Sequence, residues 1–382
     1  MLPVAERADI APFHVMAVMR AAGERAAAGG DVAHLEVGQP STPAPRAALD
    51  AARRALEAGP LHYTDAVGDA ALRARIARWY DERYGVAVEP GRVVITTGAS
   101  GACVLAFLAC FDVGARVGVA APGYPCYRNM LTAFGCEPVT LAVDAASRFQ
   151  PTPDHLGAAD PLAGVVLASP SNPTGTVLAD DDLAALADAC RRSRTRLVVD
   201  EIYHGITYGR ACPTVLAHEP DAVVVGSFSK YFSMTGWRVG WLVVPPELVD
   251  PVERLAQNLT VAPPTIGQVA ARAAMDATDE LDAHVARYAA TRDVLLDGLA
   301  RCGLTDLAPS DGAFYVWADV GHVTDDSEAL CRRWLDELGV AVTPGIDFDP
   351  DRGQRWVRCS YAGDPAEVTA AVDRLVDWFA RP

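Results

Sequence analysis

Short apolar runs rich in valine and isoleucine alternate with segments of helical periodicity along the middle of the chain. The predicted strands are 93–96, 116–120, 164–168, 197–200, 222–227 and 239–244. A helical pattern follows the first strand from Ser100, and another at 180–193 separates the third strand from the fourth. Strands that are apolar along their whole length and alternate with helices indicate a mainly parallel sheet with helices on both faces.

The pattern changes after about residue 275. A long helical segment from Glu280 to Arg301 is followed by the strand-like "GAFYVWADV", a helix in "SEALCRRWLDELG", a strand in "VAVTPG" and a last helix from Pro365 to Phe379. These segments predict a smaller α/β domain. Because 382 residues are many for one hydrophobic core, we expect an α/β protein with two domains. The large domain would span residues 47–275, and the small domain would combine residues 1–46 with 276–382.

Composition and charge narrow the classes of partner and compartment. The net charge of −16 argues against a nucleic acid or an anionic membrane as partner, because phosphates would be repelled. Residues 1–30 lack the pattern of a signal peptide, and no apolar run reaches the length of a membrane span. The nine cysteines form no CxxC pair and no zinc-like cluster with histidine. We therefore expect a cytoplasmic protein with reduced thiols and no metal site.

Polar, glycine and aromatic residues collect where five of the predicted strands end. These segments are "TGASGA", "APGYPCY", "SPSNPTG", "EIYHG" directly after Asp200, and "FSK" directly after Ser227. In open parallel sheets, ligands bind beyond the carboxyl ends of the strands. The sequence therefore predicts one ligand site at this edge of the sheet.

The last of these segments contains an unusual residue. The chain has 33 lysine and arginine residues, and Lys230 is the only lysine among them. A guanidinium group stays protonated, whereas a lysine amine can lose its proton and condense with a carbonyl group. The single lysine, at a strand end beside Ser227 and Ser229, therefore predicts covalent chemistry with a carbonyl compound.

Several motifs in the same order resemble the class I/II aminotransferases of the pyridoxal-phosphate (PLP) fold type I superfamily. They are "ASPSNPTG", "VVDEIY", "SFSKYFSMTGWRVG" and "WVRCSYA", and the resemblance runs from about Leu35 to the C-terminus. It implies a PLP-dependent aminotransferase that acts on an amino acid and a 2-oxo acid. It also implies a homodimer with shared active sites, and cis peptide bonds at Ala121–Pro122 and Asn172–Pro173.

The resemblance assigns the catalytic roles to three residues. Lys230 would hold PLP as a Schiff base and move a proton between the substrate Cα and the cofactor. Asp200 would pair with the protonated pyridine nitrogen and keep the ring an electron sink. Tyr203, together with Asn172, would donate hydrogen bonds to the phenolic oxygen of the cofactor.

Further binding residues follow from the same resemblance. The phosphate would lie at the positive end of a helix that begins in "GASG", near Ser227 and Arg238. Tyr124 would stack on the pyridine ring, and Tyr63 would reach the phosphate of the neighbouring subunit. A forked arginine would bind the substrate carboxylate. The expected cofactor-binding residues are Gly98, Ala99, Ser100, Tyr124, Asn172, Asp200, Tyr203, Ser227, Lys230, Arg238 and Tyr63, and the expected substrate-binding residues are Arg358, Gly38 and Asn172.

The loops on the substrate side depart from the family pattern. "GQPST" and "PGIDFDPDRGQRW" differ from it, which leaves the identity of the substrate open. One branch of the family binds acidic substrates with an arginine about 34 residues after the Schiff-base lysine, but no cation stands between Arg254 and Arg272. Another branch uses a lysine where this chain has Ser100. We therefore expect an amino donor with a neutral, apolar or aromatic side chain, although His62 could still assist an acidic one.

Other enzyme classes share parts of this pattern. A C–S lyase, a 1-aminocyclopropane-1-carboxylate synthase-like enzyme or an oxidative PLP enzyme would use the same cofactor residues. "TGASG" also resembles the nucleotide loop of short-chain dehydrogenases, but Ala102 and Val104 replace the further glycines, and Gly226 stands where a tyrosine is needed. A PLP-binding transcription regulator would carry a DNA-binding domain first, and the resemblance begins near residue 35.

Overall fold

The computed structural model describes residues 2–381 and contains a central seven-stranded sheet. After a two-residue strand, β1 (Ala33–His34), the strands of this sheet are β2 (Val93–Thr96), β3 (Arg116–Ala121), β4 (Glu137–Ala142), β5 (Gly164–Ala168), β6 (Arg196–Asp200), β7 (Val223–Ser227) and β8 (Gly240–Val243). Their spatial order is β2-β8-β7-β6-β5-β3-β4. Only β8 runs antiparallel to its neighbours, so the prediction of a mainly parallel sheet is confirmed.

Helices cover both faces of the sheet. The helices of residues 2–381, which include those outside this sheet, are α1 (His14–Ala27), α2 (Arg46–Glu57), α3 (Ala70–Tyr84), α4 (Gly98–Cys110), α5 (Pro125–Ala133), α6 (Pro153–Ala159), α7 (Asp180–Ser193), α8 (Pro246–Leu259), α9 (Thr265–Ala274), α10 (Thr278–Arg301), α11 (Ser327–Leu338) and α12 (Pro365–Phe379). None of these helices has the length and apolar character of a membrane span.

Two hydrophobic cores explain why the strands are apolar along their length. Val165 and Leu167 of β5 lie in one core, and Val166, between them, lies in the other. Since successive side chains of a strand point to opposite faces, a sheet buried on both faces needs an apolar residue at each position. The continuous valine and isoleucine runs of the sequence are the consequence.

A second group of strands lies towards the C-terminus. It comprises β9 (Tyr315–Asp319), β10 (Val340–Ala341), β11 (Thr343–Pro344) and β12 (Trp356–Ser360). Strands β11, β12 and β9 form an antiparallel sheet, and β10 pairs with β1 in parallel. The single strand predicted in "VAVTPG" is thus two strands, because the chain leaves one sheet and enters the other at Val342. The domain boundaries at residues 46 and 275 remain a prediction.

Three details of the fold bear on the sequence prediction. Strand β4 was not predicted, because it lies at the edge of the sheet, and its partly exposed residues break the apolar run. Helix α4 begins at Gly98 rather than at Ser100. The Ala121–Pro122 and Asn172–Pro173 bonds are cis, as predicted, and so are Asp160–Pro161 and Ser169–Pro170.

Candidate active site

The carboxyl ends of the parallel strands border a cavity of about 530 Å³. Side chains from the N-terminal segment and from the C-terminal sheet close it on the other side. Of the residues predicted from the sequence, those that line the cavity are Gly38, Ala99, Ser100, Tyr124, Asn172, Asp200, Tyr203, Lys230, Arg238 and Arg358. The structure thus brings together residues that are up to 320 positions apart in the chain.

Lys230 lies in the cavity just beyond the end of β7. Its Nζ donates a hydrogen bond of 2.6 Å to the carbonyl oxygen of Gly38. Burial lowers the pKa of the Lys230 amine to about 8, helped by the positive charges of Arg358 and Arg238 and opposed by Asp200. A pKa in this range allows the amine to be neutral, and therefore nucleophilic, near neutral pH.

Asp200 is buried at the carboxyl end of β6. Its Oδ1 accepts from the Ile202 amide at 2.9 Å, and its Oδ2 accepts from the Tyr127 hydroxyl at 2.5 Å. Burial raises the pKa of Asp200 to about 6, although both hydrogen bonds and the charge of Lys230 favour the ionised form. A buried carboxylate that borders the cavity is placed to pair with a cationic ligand atom.

The first turn of α4 and the Arg238 side chain form the positive end of the cavity. Thr97, the N-cap residue, makes no side-chain capping bond to the first turn, and Ala99 and Ser100 line the cavity. A Cβ atom on Gly98 would lie 2.5 Å from Nη2 of Arg238. The guanidinium therefore packs directly against the start of the helix, and together they form a site for an anion.

Two serines near this end have different positions. Ser229 lines the cavity, whereas Ser227 lies behind it. The Ser227 Oγ is 2.9 Å from the Ser229 Oγ and accepts a hydrogen bond from the Ser229 amide at 3.1 Å. Ser229 thus borders the cavity and Ser227 contacts it from behind, and the prediction that Ser227 binds the phosphate remains a prediction. The sequence named Ser229 only as a neighbour of Lys230.

Arg358 is held rigidly at the opposite end of the cavity. Its side chain is 2% exposed and stacks between the rings of Tyr315 and Phe348, at 4.4 and 4.7 Å. Nη1 donates to Oδ1 of Asn172 at 3.0 Å, and Nη2 donates to the carbonyl oxygen of Glu36. The Nε group is buried without a hydrogen-bond partner. A rigidly held guanidinium that lines the cavity suits a ligand carboxylate.

Sequence reasoning missed two tyrosines of the site. Tyr315 lies 2.7 Å, hydroxyl to hydroxyl, from Tyr203, and a Cβ atom on Gly38 would overlap the Tyr315 hydroxyl. Tyr127 is the hydrogen-bond donor to Asp200. The spacing of Tyr127, three residues after Tyr124 at the start of a helix, was a usable signal. For Tyr315 the sequence indicated only that the residue lies in a strand, and no pattern pointed to the active site.

One wall of the cavity is apolar. Phe13, Met16 and Met19 come from α1 and the residue before it, and Met130 comes from α5. Half of the six methionines of the chain therefore lie on this wall. The cations that line the described cavity are Lys230, Arg238 and Arg358. Within residues 2–381 no other lysine or arginine belongs to the lining of the cavity.

Tyr63 does not reach the cavity of its own chain. Its side chain is 83% exposed. The segment around it is fixed by a 2.6 Å hydrogen bond from the Thr265 hydroxyl to the carbonyl oxygen of His62. His62 is also absent from the lining of the cavity, so within one chain neither residue can contact a ligand there.

Comparisons with known proteins show which family the whole chain resembles. Residues 30–375 match the family model described as aminotransferase class I and II. The valine–pyruvate aminotransferase of Mycobacterium tuberculosis is 51% identical over 98% of both chains. An aminotransferase structure from the same organism superposes with a TM-score of 0.97 at 50% identity and covers 99% of each chain. The aspartate aminotransferase of Thermus thermophilus with maleate gives a TM-score of 0.93 at 31% identity over 99% of this chain and 100% of that chain.

The chain therefore belongs to the class I and II aminotransferase family and has its type I fold. It is a PLP-dependent aminotransferase that moves an amino group between an amino acid and a 2-oxo acid. The relatives do not favour the lyase and oxidase alternatives that the sequence left open.

The residues of the cavity fit the chemical groups of PLP. The positive end at α4 and Arg238 suits the phosphate, and Lys230 supplies an amine for the aldehyde. Asp200, a buried carboxylate that lines the cavity and whose hydrogen bonds come from neutral donors, suits a protonated ring nitrogen. Arg358, which lines the opposite end of the cavity, then remains for the substrate.

Proposed function

We propose that the protein transfers the amino group of an amino acid with a neutral aliphatic side chain, such as valine, to a small 2-oxo acid such as pyruvate. The observation that carries this proposal is the apolar wall of Phe13, Met16, Met19 and Met130. The cations that line the cavity in the described chain are Lys230, Arg238 and Arg358, and none of them belongs to this wall. A second substrate carboxylate at this wall would be buried without a partner, at a cost of several kcal/mol. The flexible methionine side chains can adapt to branched aliphatic groups.

The proposal assigns PLP to the residues at the strand ends. Lys230 would bind it covalently, and its phosphate would lie against the first turn of α4, beside Arg238 and Ser229. Tyr124 would cover one face of the ring, and Asp200 would pair with the ring nitrogen. When bound, PLP supplies an electron sink for the electrons released at the substrate Cα.

The protein residues would then orient the substrate and move its proton. Arg358 and Asn172 would fix the α-carboxylate, so that the Cα–H bond faces the Lys230 amine. Because burial lowers the pKa of Lys230 to about 8, its Nζ can accept this proton and later return it. Asp200, held ionised by Tyr127 and the Ile202 amide, would balance the positive charge of the ring nitrogen.

We propose a cytoplasmic homodimer in which Tyr63 of each chain completes the phosphate site of the other. Tyr63 is 83% exposed and lies two residues after Leu61, which is also exposed. Exposed apolar side chains on a surface segment are typical of a protein–protein contact. The nine cysteines are unpaired thiols, which suits a reducing compartment.

Substrate preference tests the proposed activity directly. We expect kcat/KM for valine and leucine to exceed the values for aspartate and glutamate by tenfold or more, which corresponds to about 1.4 kcal/mol in the transition state. The control is Arg358→Lys, which should lower kcat/KM for all amino acids by a similar factor, since they share the α-carboxylate. A tenfold preference for aspartate would show that a cation reaches the wall and would refute the proposal.

A further inference from the structure

Helix α1 is capped by a residue from the other end of the chain. Phe13, its N-cap residue, offers no side-chain acceptor. Instead, Oδ1 of Asp347 accepts from the His14 amide at 3.1 Å, and Oδ2 accepts from the Val15 amide at 3.0 Å. Asp347 is 1% exposed. A carboxylate at this position satisfies two free N–H groups and interacts favourably with the positive end of the helix.

The capped end of α1 is also the part of the helix that lines the active site. Phe13, Val15, Met16 and Met19 all border the cavity. Only Val15 and Ala22 of its 14 residues are buried, and Arg25, near its other end, donates a hydrogen bond to the carbonyl oxygen of Asp336. An element with few buried side chains opens at low free-energy cost. The two hydrogen bonds to Asp347 therefore hold the N-terminal end of α1, the end that lines the cavity.

The residue next to the cap contacts the carboxylate-binding arginine. Phe348 packs its ring 4.7 Å from the Arg358 guanidinium. The short 3-10 helix that carries Asp347, Gly345–Asp347, is held tightly, since a Cβ atom on Gly345 would overlap the carbonyl oxygen of Gly353. One rigid turn thus contacts both the α-carboxylate site and the helix of the apolar wall.

We propose that Asp347 is a positioning residue for side-chain recognition. It docks α1 so that Phe13, Met16 and Met19 lie at a fixed distance from Arg358. Because Arg358 holds the substrate carboxylate, this distance determines which length of side chain fits against the wall. This proposal rests on the proposed function, because the side chain it concerns is the neutral one assigned above. Asp347 then acts through α1 and does not itself contact the substrate.

Hydrogen–deuterium exchange tests the docking without the need for activity. In Asp347→Ala, the amides of the first turns of α1 should exchange faster than in the wild-type enzyme. In Asp347→Asn, which keeps one acceptor oxygen, the exchange rate of these amides should lie between those of Asp347→Ala and the wild type. The matched control is Asp364→Ala, which removes the side-chain cap of α12 and should leave exchange in α1 unchanged. Equal exchange of α1 in Asp347→Ala and the wild type would overturn the proposal.

Kinetics with amino acids of different side-chain size separate positioning from a general loss of stability. In the Asp347→Ala holoenzyme, kcat/KM for valine should fall about fivefold, mainly through KM, and that for alanine by less than about twofold. Alanine has a methyl group too short to use the wall. An equal loss for both substrates would mean that Asp347 acts on Arg358 or on the whole fold, and would overturn the proposal.

The two proposals can fail separately. If the wild-type enzyme prefers aspartate, the proposed substrate class is wrong. The exchange experiment then still decides whether Asp347 docks α1, and a series of the accepted amino acids of increasing length replaces alanine and valine. A loss in Asp347→Ala that grows with side-chain length supports positioning, and a loss independent of length refutes it.

Discussion

Burial shifts the pKa values of the two central charged residues in opposite directions. It lowers the pKa of Lys230 to about 8 and raises the pKa of Asp200 to about 6. In both residues burial disfavours the charged form, and each charge partly offsets the shift of the other. These values place both groups closer to neutrality than in water, which suits a site that exchanges protons near pH 7.

The Lys230 shift predicts a dependence of stability on pH in the cofactor-free protein. Between pH 8 and 10.5 the unfolded chain still binds a proton at this lysine while the native chain loses it, so the free energy of unfolding rises with pH. Lys230→Met removes a buried cation of similar length. We expect its Tm to exceed that of the wild type at pH 7, and the difference to shrink as the pH rises through this window. A difference that stays constant from pH 7 to 10.5 would contradict the assigned pKa shift.

The start of α4 shows how an element creates a binding site from backbone alone. Gly98 has a φ of +72°, which lets the chain turn from β2 directly into the helix. A Cβ atom on Gly240 of β8 would lie 2.9 Å from the Ala99 amide nitrogen, so two glycines allow helix and sheet to approach. The first N–H groups of α4 are thereby brought to the edge of the sheet, beside Arg238.

Gly98→Ala should therefore weaken cofactor binding. The added methyl group requires a left-handed backbone and would push the Arg238 guanidinium away from the helix start. We expect the dissociation constant of PLP, measured by absorbance titration, to rise about tenfold. Gly114→Ala is the matched control, since Gly114 has a φ of +81° and no atom within 4 Å of its added methyl group. If both variants bind PLP equally well, Arg238 and the α4 turn do not hold the phosphate.

At the scale of the whole molecule, the cavity depends on distant parts of the chain. Lys230 and Asp200 come from the central sheet, Arg358 comes from β12, and the apolar wall comes from the N-terminal helix. The exposed position of Tyr63 adds a fourth contribution, from a neighbouring subunit, in the proposed dimer. In that case, formation of the dimer would affect how tightly each subunit binds PLP.

Tyr63→Phe tests this shared site. Loss of a hydrogen bond to a charged phosphate should raise the dissociation constant of PLP about tenfold, while light scattering should still show a dimer. Tyr84→Phe is the control, because the Tyr84 hydroxyl bonds His204 outside the cavity and should not affect PLP. A fully active monomer would rule out the shared site.

The sequence by itself determined six of the seven strands of the central sheet, the edge that carries the site and its reactive residues. The strands could be predicted because both faces of the sheet are buried, which leaves a local and continuous apolar pattern in each strand. The carboxyl ends of parallel strands lie at one edge, so the strand pattern alone was enough to place Asp200 and Lys230 together. Lys230 was conspicuous because imine chemistry needs an amine that arginine cannot supply.

Only the tertiary structure decided the walls and supports of the site. The contact of Tyr315 with Tyr203, the choice of Ser229 over Ser227 at the cavity and the Asp347 cap on α1 leave no local pattern. Asp347 and Val15 are 332 positions apart, and any acceptor in the chain could have capped the helix. Hydrophobic periodicity reports which face of an element is buried. It does not report which distant side chain that face will meet, because packing between elements selects the partner.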